Sequence, residues 1–331
     1  MQRPLFNPFQ PLNFQPDICF LTGQAFSENQ SRYSVPVFPE WLLRRYEMGE
    51  KKIEMLGGNR MKYQDMLLPA SEEVVLAIDR LDAVTQEAFE QGYEAVKALP
   101  ELTLFQWMAR VMYGVLYQDF THAILQHEAQ GRPLRISPLM QQKLRNLLFM
   151  LQSLVRPVQF AGFTPWSIKV CRVNVSRDIL NYKDETHKLN FCLGMNGFGV
   201  AACLQDNGEV ARFYQDILEK IGDVNLHPAQ FEELYGRFMY ANYLLREMPD
   251  YLLHENEGAV VFELPDASGQ EDRPLYAPWD DKIFAQVLAN MWEPWGLPIG
   301  QIYQFPNSPV SLLINEHTHQ LIAPEAINLD Y

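Results

Sequence analysis

Cysteine is scarce in this chain. Four thiols, Cys19, Cys171, Cys192 and Cys203, are spread over 331 residues, too few and too scattered for the disulfide framework of a small secreted domain. Three of them sit in apolar, strand-like stretches, where a thiol behaves as a small hydrophobe. No stretch of 18 residues is both uncharged and strongly apolar, so no membrane-crossing helix is expected. There is no charged-then-apolar leader at Met1, and the expected location is the reducing cytoplasm. Phosphate-cradling patterns are missing as well. Gly197, Gly199 and Gly208 lack the G-x-G-x-x-G spacing, and no P-loop lysine accompanies them. No G-x-S-x-G elbow occurs, and no serine has a histidine beside it.

Basic residues are the next shortage. Lys and Arg number 27 against 41 Asp and Glu, a net charge of −14. A surface of that sign repels phosphate backbones, whose binding depends on counterion release to lysine and arginine. The split is uneven: residues 1–64 hold 8 basic and 6 acidic side chains, leaving 19 basic and 35 acidic for the rest. Only this first segment, with Arg44, Arg45, Lys51, Lys52 and Arg60, tolerates a polyanion. Charge counts against nucleic acid as a partner.

What is present suits a globular chain. Apolar residues are 47% and charged residues 21%, close to globular averages, and the length fits one large or two ordinary domains. Residues 1–16 carry four prolines among Phe and Leu, which makes an extended arm. With it, residues 17–69 form a small module: a strand and turn at 18–23, a short helix over 39–48 docked through Trp41, Leu42 and Tyr46, and a turn at 57–59. Apolar spacing predicts helices over 71–97, 101–128 and 138–155, a helical layer for residues 70–156. Residues 157–331 mix strands (166–175, two within 187–210, 259–264, 299–305, 310–322) with helices (210–221, 228–247, 279–292), and Asn207-Gly208 reads as a tight hairpin turn. The expected class is α+β.

The run Cys19-Phe20-Leu21-Thr22-Gly23, followed by Val35-Pro36-Val37-Phe38-Pro39-Glu40-Trp41-Leu42, resembles the opening of HNH-type nuclease modules. There a Cys-x-x-Cys-Gly turn precedes a Glu-His segment with Pro-x-Trp-Leu, then a second Cys pair. The later order is similar: a long helix, then an apolar one carrying Trp107, Arg110 and Tyr113. The resemblance covers about a third of the chain and implies a frame without its chemistry. Cys19 takes the place of the first zinc thiolate, but Thr22 replaces the second, Pro36 the catalytic histidine and Val35 the acidic residue before it. No cysteine lies between Cys19 and Cys171, and no histidine precedes His122. A structural zinc needs four donors, and HNH-type cleavage needs a base and a metal. Pro39 and Trp41 then remain as packing residues.

Other constellations are weaker. His317-Thr318-His319 on a strand would turn both imidazoles to one side, with Glu325 as a third metal donor. Arg110, among Trp107, Met108, Val111 and Met112, requires a carboxylate from another helix or an anion. His122, His127 and Glu128 stand five and six apart and do not share one helical face. Asp184, Glu185 and His187 read as a solvated loop. The sequence therefore points to a non-catalytic interaction or scaffold protein without cofactor. Its partner surface is expected to draw on Phe6, Phe9, Phe14, Trp41, Trp292 and Trp295. The alternatives are a nucleic-acid binder or residual nuclease, and a metal enzyme built on His317 and His319.

Overall fold

The computed structural model of the chain describes residues 12, 14–27, 31–55, 58–246, 251–256, 259–265 and 274–329. It begins with β1 (Tyr33–Pro36), α1 (Glu40–Arg45), β2 (Lys52–Glu54), β3 (Arg60–Lys62), β4 (Leu67–Ala70) and α2 (Glu72–Gln91). Next come α3 (Tyr93–Ala98), α4 (Glu101–Ala129), α5 (Pro138–Leu151), β5 (Val158–Phe160), β6 (Ser167–Val173) and β7 (Leu180–Glu185). β8 (Asn190–Met195), β9 (Phe198–Cys203), α6 (Glu209–Phe213), α7 (Gln215–Ile221), β10 (Asn225–Leu226) and α8 (Pro228–Leu244) follow. The chain closes with β11 (Leu252–Asn256), β12 (Ala259–Glu263), α9 (Asp281–Met291) and α10 (Ile299–Ile302). The class is α+β. Among the described residues no helix is long and apolar enough to cross a membrane. Two units emerge, each from three separated segments. The first takes residues 1–88, 99–161 and 251–263, the second 89–98, 162–250 and 264–331.

The first unit is organised by α4, which is apolar on every side and buried from Leu104 to Asp119 with few breaks, as expected of a helix with no polar face. Gly114 lets the chain after β1 come close. A Cβ there would stand 2.8 Å from both Val37 methyls. β1 pairs antiparallel with β4, Val35 opposite Leu68, and Val35, Val37, Phe38 and Leu68 are all buried. α1 is too short to stand alone and docks through Trp41, Leu42 and Leu43. α5 starts at the Ser137 cap with Pro138 in its first turn. The three-stranded sheet β11-β12-β5 meets α5 through the Phe149 and Phe262 rings, 5.5 Å apart.

The second unit is a five-stranded sheet in the order β10-β6-β9-β8-β7. Its register puts Cys171 opposite Gly199, Ala201 opposite Cys192 and Lys183 opposite Cys192. Paired residues share a face, so one face carries Cys171, Cys192, Gly199 and Ala201 at its centre, with Lys183 on the β7 edge. Large side chains of α8 (Phe231, Leu234, Tyr235, Phe238) join those thiols in the core. The fit is tight: a Cβ on Gly199 would lie 2.5 Å from the Phe231 ring. On the opposite face Phe198 meets Phe89, ring centroids 5.1 Å apart.

Several expectations give way to local chemistry. The helix foreseen over 71–97 breaks at Gly92 (φ 88°), because the Asn196 amide donates to the carbonyls of Phe89 and Glu90 at 2.8 and 3.0 Å and closes the helix end. Asn207 and Gly208 do adopt positive φ, but they lead into α6, not a second strand. The strand at 18–23 is a single bridge, Ile18 to Ala25. β7 was missed in the polar run before β8, all six of its residues being half-buried, so no alternation shows. The strands at 299–305 and 310–322 are absent. Residues 299–302 are helical, and one bridge, Ile314 to Leu321, is all the pairing seen there. Pro298, Pro306 and Pro309 remove the donors a ladder needs. α8 supplies partners instead. Glu233 accepts from the Leu312 and Leu313 N–H groups at 2.7 and 3.0 Å, and Gln230 donates to the carbonyls of Leu312 and Ile322 at 2.9 and 2.8 Å.

Gly199→Ala is expected to cost about 2–3 kcal/mol in chemical denaturation, the range for forcing an extra methyl into a packed core. Phe231→Leu in the same background should recover part of the loss.

Candidate functional site

The turn carrying Cys19 is closed by the Cys19 N–H to the Gln24 carbonyl and by the Gly23 N–H to the Cys19 carbonyl, each 2.9 Å. Gly23 takes the positive φ this demands (65°). Cys19 is 1% exposed, and Thr22 sits half-buried in the turn. The phenols of Tyr113 and Tyr117 on α4 are pushed above the usual tyrosine range, first by burial and then by neighbours that include Cys19. The thiol is thus enclosed by aromatic packing.

Pro36 ends β1, and its carbonyl is not free. Arg110 Nη1 donates to it at 2.9 Å, while Arg110 Nη2 pairs with Asp82 Oδ1 of α2 at 2.8 Å. Arg110 is fully buried, and the Asp82 side chain is 17% exposed. The carboxylate partner foreseen for Arg110 is therefore Asp82, and Pro36 joins the same cluster. Burial is the leading influence on both charges: it raises the Asp82 carboxyl and lowers the Arg110 guanidinium, and their mutual attraction opposes it. Arg110 Nε is buried without an acceptor. Such a pair gains little net stability, but losing either partner strands a buried charge. Pro39 is the N-cap of α1, and Trp41 is 9% exposed.

The His317 and His319 arrangement is corrected. Residues 315–319 form a turn, not a strand, with Asn315 Oδ1 accepting the His317 and Thr318 N–H groups at 3.0 Å each. The His319 N–H reaches the Asn315 carbonyl at 2.8 Å, and His319 has φ 55°. An Asx turn has no two-residue periodicity, so the shared side for both imidazoles does not exist. Both histidines are exposed, as is Glu325 in the one-turn helix 324–326. Among the described residues no group of three or more His, Cys, Asp or Glu is placed to hold a metal ion. His122 and His127 lie half-buried in the last turns of α4, with Glu128 exposed.

Three aromatics expected at a partner surface are core residues. Phe14 is 4%, Trp41 9% and Trp292 1% exposed. Phe14 packs on Tyr117 and Phe120, and the Trp292 indole donates to the Ala229 carbonyl at 2.8 Å. Trp295 is half-buried, and Phe6 and Phe9 lie outside the described residues. The exposed aromatics are others, Phe305 above all, at 84%. Of the basic strip, Arg60 faces Glu54 at 3.7 Å across the β2–β3 hairpin, and the neighbouring Lys62 faces Glu50 at 2.7 Å.

Buried carboxylates of the second unit escaped the sequence reading. Asp206, 1% exposed, accepts from the Ser167 hydroxyl at 2.6 Å and the Val210 N–H at 2.9 Å. Burial pushes its carboxyl up to about 6, against the pull of those donors. Glu232, 1% exposed, receives Lys183 and Asn181 on one oxygen. Glu185, foreseen in a solvated loop, accepts the His187 and Lys188 N–H groups at 2.7 and 2.9 Å and shapes the β7–β8 turn. Each carboxylate ties elements together. A groove of about 230 Å³ opens in the same unit, its walls including Trp292, Leu297, Ile302, Val310 and Leu312, with Gln301 and Asn328 its polar groups. With no titratable lining residue, it can hold apolar matter but cannot move a proton.

Two outcomes check these assignments. Asp82→Asn should destabilise the chain by about 3–5 kcal/mol, and Asp82→Leu with Arg110→Met should recover most of it, by denaturant titration. The Asp206 carboxyl titrates higher folded than unfolded, so its contribution is fully present below about pH 4 and is lost as pH rises through about 6. A shift from the ordinary carboxyl value of 3.8 to about 6 amounts to about 3 kcal/mol. Asp206→Asn should flatten that part of the stability–pH curve.

No protein family, no curated protein and no solved structure matches this chain.

Proposed function

We propose that this chain is a non-catalytic binding protein of the cytoplasm, its first unit keeping the frame of an HNH-like module whose chemistry has been replaced by packing. One observation carries the reading: at Pro36, where the resembled modules have their base, the backbone carbonyl is taken by the buried Arg110–Asp82 pair. A proline neither accepts a proton nor binds a metal through its side chain. The enclosure of Cys19 argues the same way. All four cysteines are free and buried, which suits a reducing compartment. A nucleic-acid role is less favoured, because Glu50 and Glu54 compensate two cations of the basic hairpin. Protein contact through exposed apolar side chains is the mode of action that this reading assigns.

The test uses the full chain, purified from its own cells through a terminal tag. The purified protein is expected to leave single- and double-stranded DNA and RNA uncut in magnesium or manganese. Its co-purifying proteins are expected to stay bound after nuclease treatment. Cleavage by the pure chain, or release of every partner by nuclease, would contradict the proposal.

A further inference from the structure

The first turn of α8 is capped by a histidine. Pro228 has no N–H, and the Gln230 and Phe231 N–H groups reach the His227 carbonyl at 2.9 and 3.1 Å. The Ala229 N–H is taken by a side chain, His227 Nδ1, at 3.1 Å. The His227 N–H donates in turn to Gln230 Oε1 at 3.0 Å, so cap and helix hold each other. An imidazole cap carries a condition that an Asn or Ser cap lacks. Nδ1 accepts only while it bears no proton, which places the ring's hydrogen on Nε2. That hydrogen has a partner, the Leu329 carbonyl, 3.0 Å from Nε2. One neutral tautomer makes both bonds.

The second bond matters because of where Leu329 lies. Residues 326–329 line the apolar groove together with Trp292, Ile302 and Leu312. Among the described residues, the His227 ring makes the one hydrogen bond between residues 323–329 and the rest of the chain. The Ala326 and Ile327 N–H groups reach only Ala323 and Pro324, within the segment, and the hold of Gln230 stops at the Ile322 carbonyl. Ala323, Glu325, Ala326 and Asn328 are exposed. A stretch with so few ties belongs to the parts of a fold that open first.

We propose that His227 is a pH-operated latch: a second ring proton frees residues 323–329 and opens the groove along that wall. In the imidazolium both nitrogens carry hydrogen. Nδ1–H then meets the Ala229 N–H, donor against donor, and a positive charge stands at the positive end of a 17-residue helix. Turning the ring away relieves both conflicts and takes Nε2 off Leu329. The surrounding charges are engaged elsewhere or exposed. On α8, Glu232 and Glu233 hold Lys183 and Arg237. β10 carries no charge, and Arg172 beside it pairs with Glu94. The turn after α9 brings the Trp295 ring at 6.3 Å and the exposed Glu293, while Glu325 of the latched segment is exposed and Asp330 lies outside the described residues. Burial is the leading influence on the ring and holds it below the usual histidine range, against the pull of the Leu329 carbonyl. The latch is therefore closed above the ordinary histidine value of 6.5, and opening gains up to about tenfold per pH unit below it. The inference concerns access to the groove and stands apart from the binding reading above.

Hydrogen exchange on the purified full chain, at about pH 7.5 and about pH 5.5 and corrected for the intrinsic rate at each, tests it. Residues 227–231 and 323–329 are expected to lose protection by up to about tenfold at the lower pH, while α4 and β8 keep theirs. Asp206 titrates in the same window in the opposite sense and does not mimic this loss. His227→Asn, a cap that does not titrate, should make exchange of both stretches equal at the two pH values. Imidazole NMR should find His227 Nδ1 unprotonated at the higher pH. Unchanged protection of both stretches, an equal loss along the whole chain, or the same pH response in His227→Asn would overturn the proposal.

Discussion

The first unit depends on a charge it has no solvent to dissolve. Arg110 is fully buried on α4, and its guanidinium reaches both the Asp82 carboxylate of α2 and the Pro36 carbonyl at the end of β1. Taking both charges out of water costs several kcal/mol each, and their attraction returns roughly that amount. What the pair provides is position. Three elements distant in sequence meet at one planar cation, whose donors are fixed in direction. The end of β1, before the turn into α1, is held by that cation.

A comparable logic runs through the second unit, with α8 at its centre. The sheet face below it carries Cys, Ala and Gly at its centre, so Phe231 and Tyr235 can approach closely. From the same helix Gln230 and Glu233 hydrogen-bond the backbone of the carboxyl-terminal segment. Arg237 Nη2 lies 2.7 Å from Glu233 and balances its charge. Because the segment's backbone is satisfied from within, its outward side chains are released from structural duty. They include Ile299, Phe305 and Val310, on a stretch without charge. Packing on one side of the segment thus leaves an uncharged surface on the other.

Much of the fold was legible because burial leaves a pattern. α4 announces itself through unbroken apolar character, β6 through its alternation, and β8 and β9 as two apolar runs around a glycine-rich turn. Signals failed where the deciding partner is distant in sequence. Gly92 ends a helix on account of Asn196, and β7 is a strand because β8 lies beside it, although its own residues alternate in nothing. The apolar rhythm of 299–305 suggests a strand until the prolines around it are counted. Among site residues, Arg110 was recognisable as needing a carboxylate, but nothing local singles out Asp82 over the other acids of α2. Aromatic type does not reveal address: Trp292 is internal while Phe305, only 13 positions later, faces water. The two histidines misled because the spacing of a strand was applied to an Asx turn.

The central claim is that the turn at Cys19 and the end of β1 are occupied by protein packing and have no capacity for a cation. Anomalous diffraction from crystals grown with zinc, and separately with manganese, addresses this most directly. The account predicts no anomalous peak within coordination distance of Cys19, Thr22 or Pro36. A peak there, with the Arg110–Asp82 pair opened to admit the ion, would contradict it.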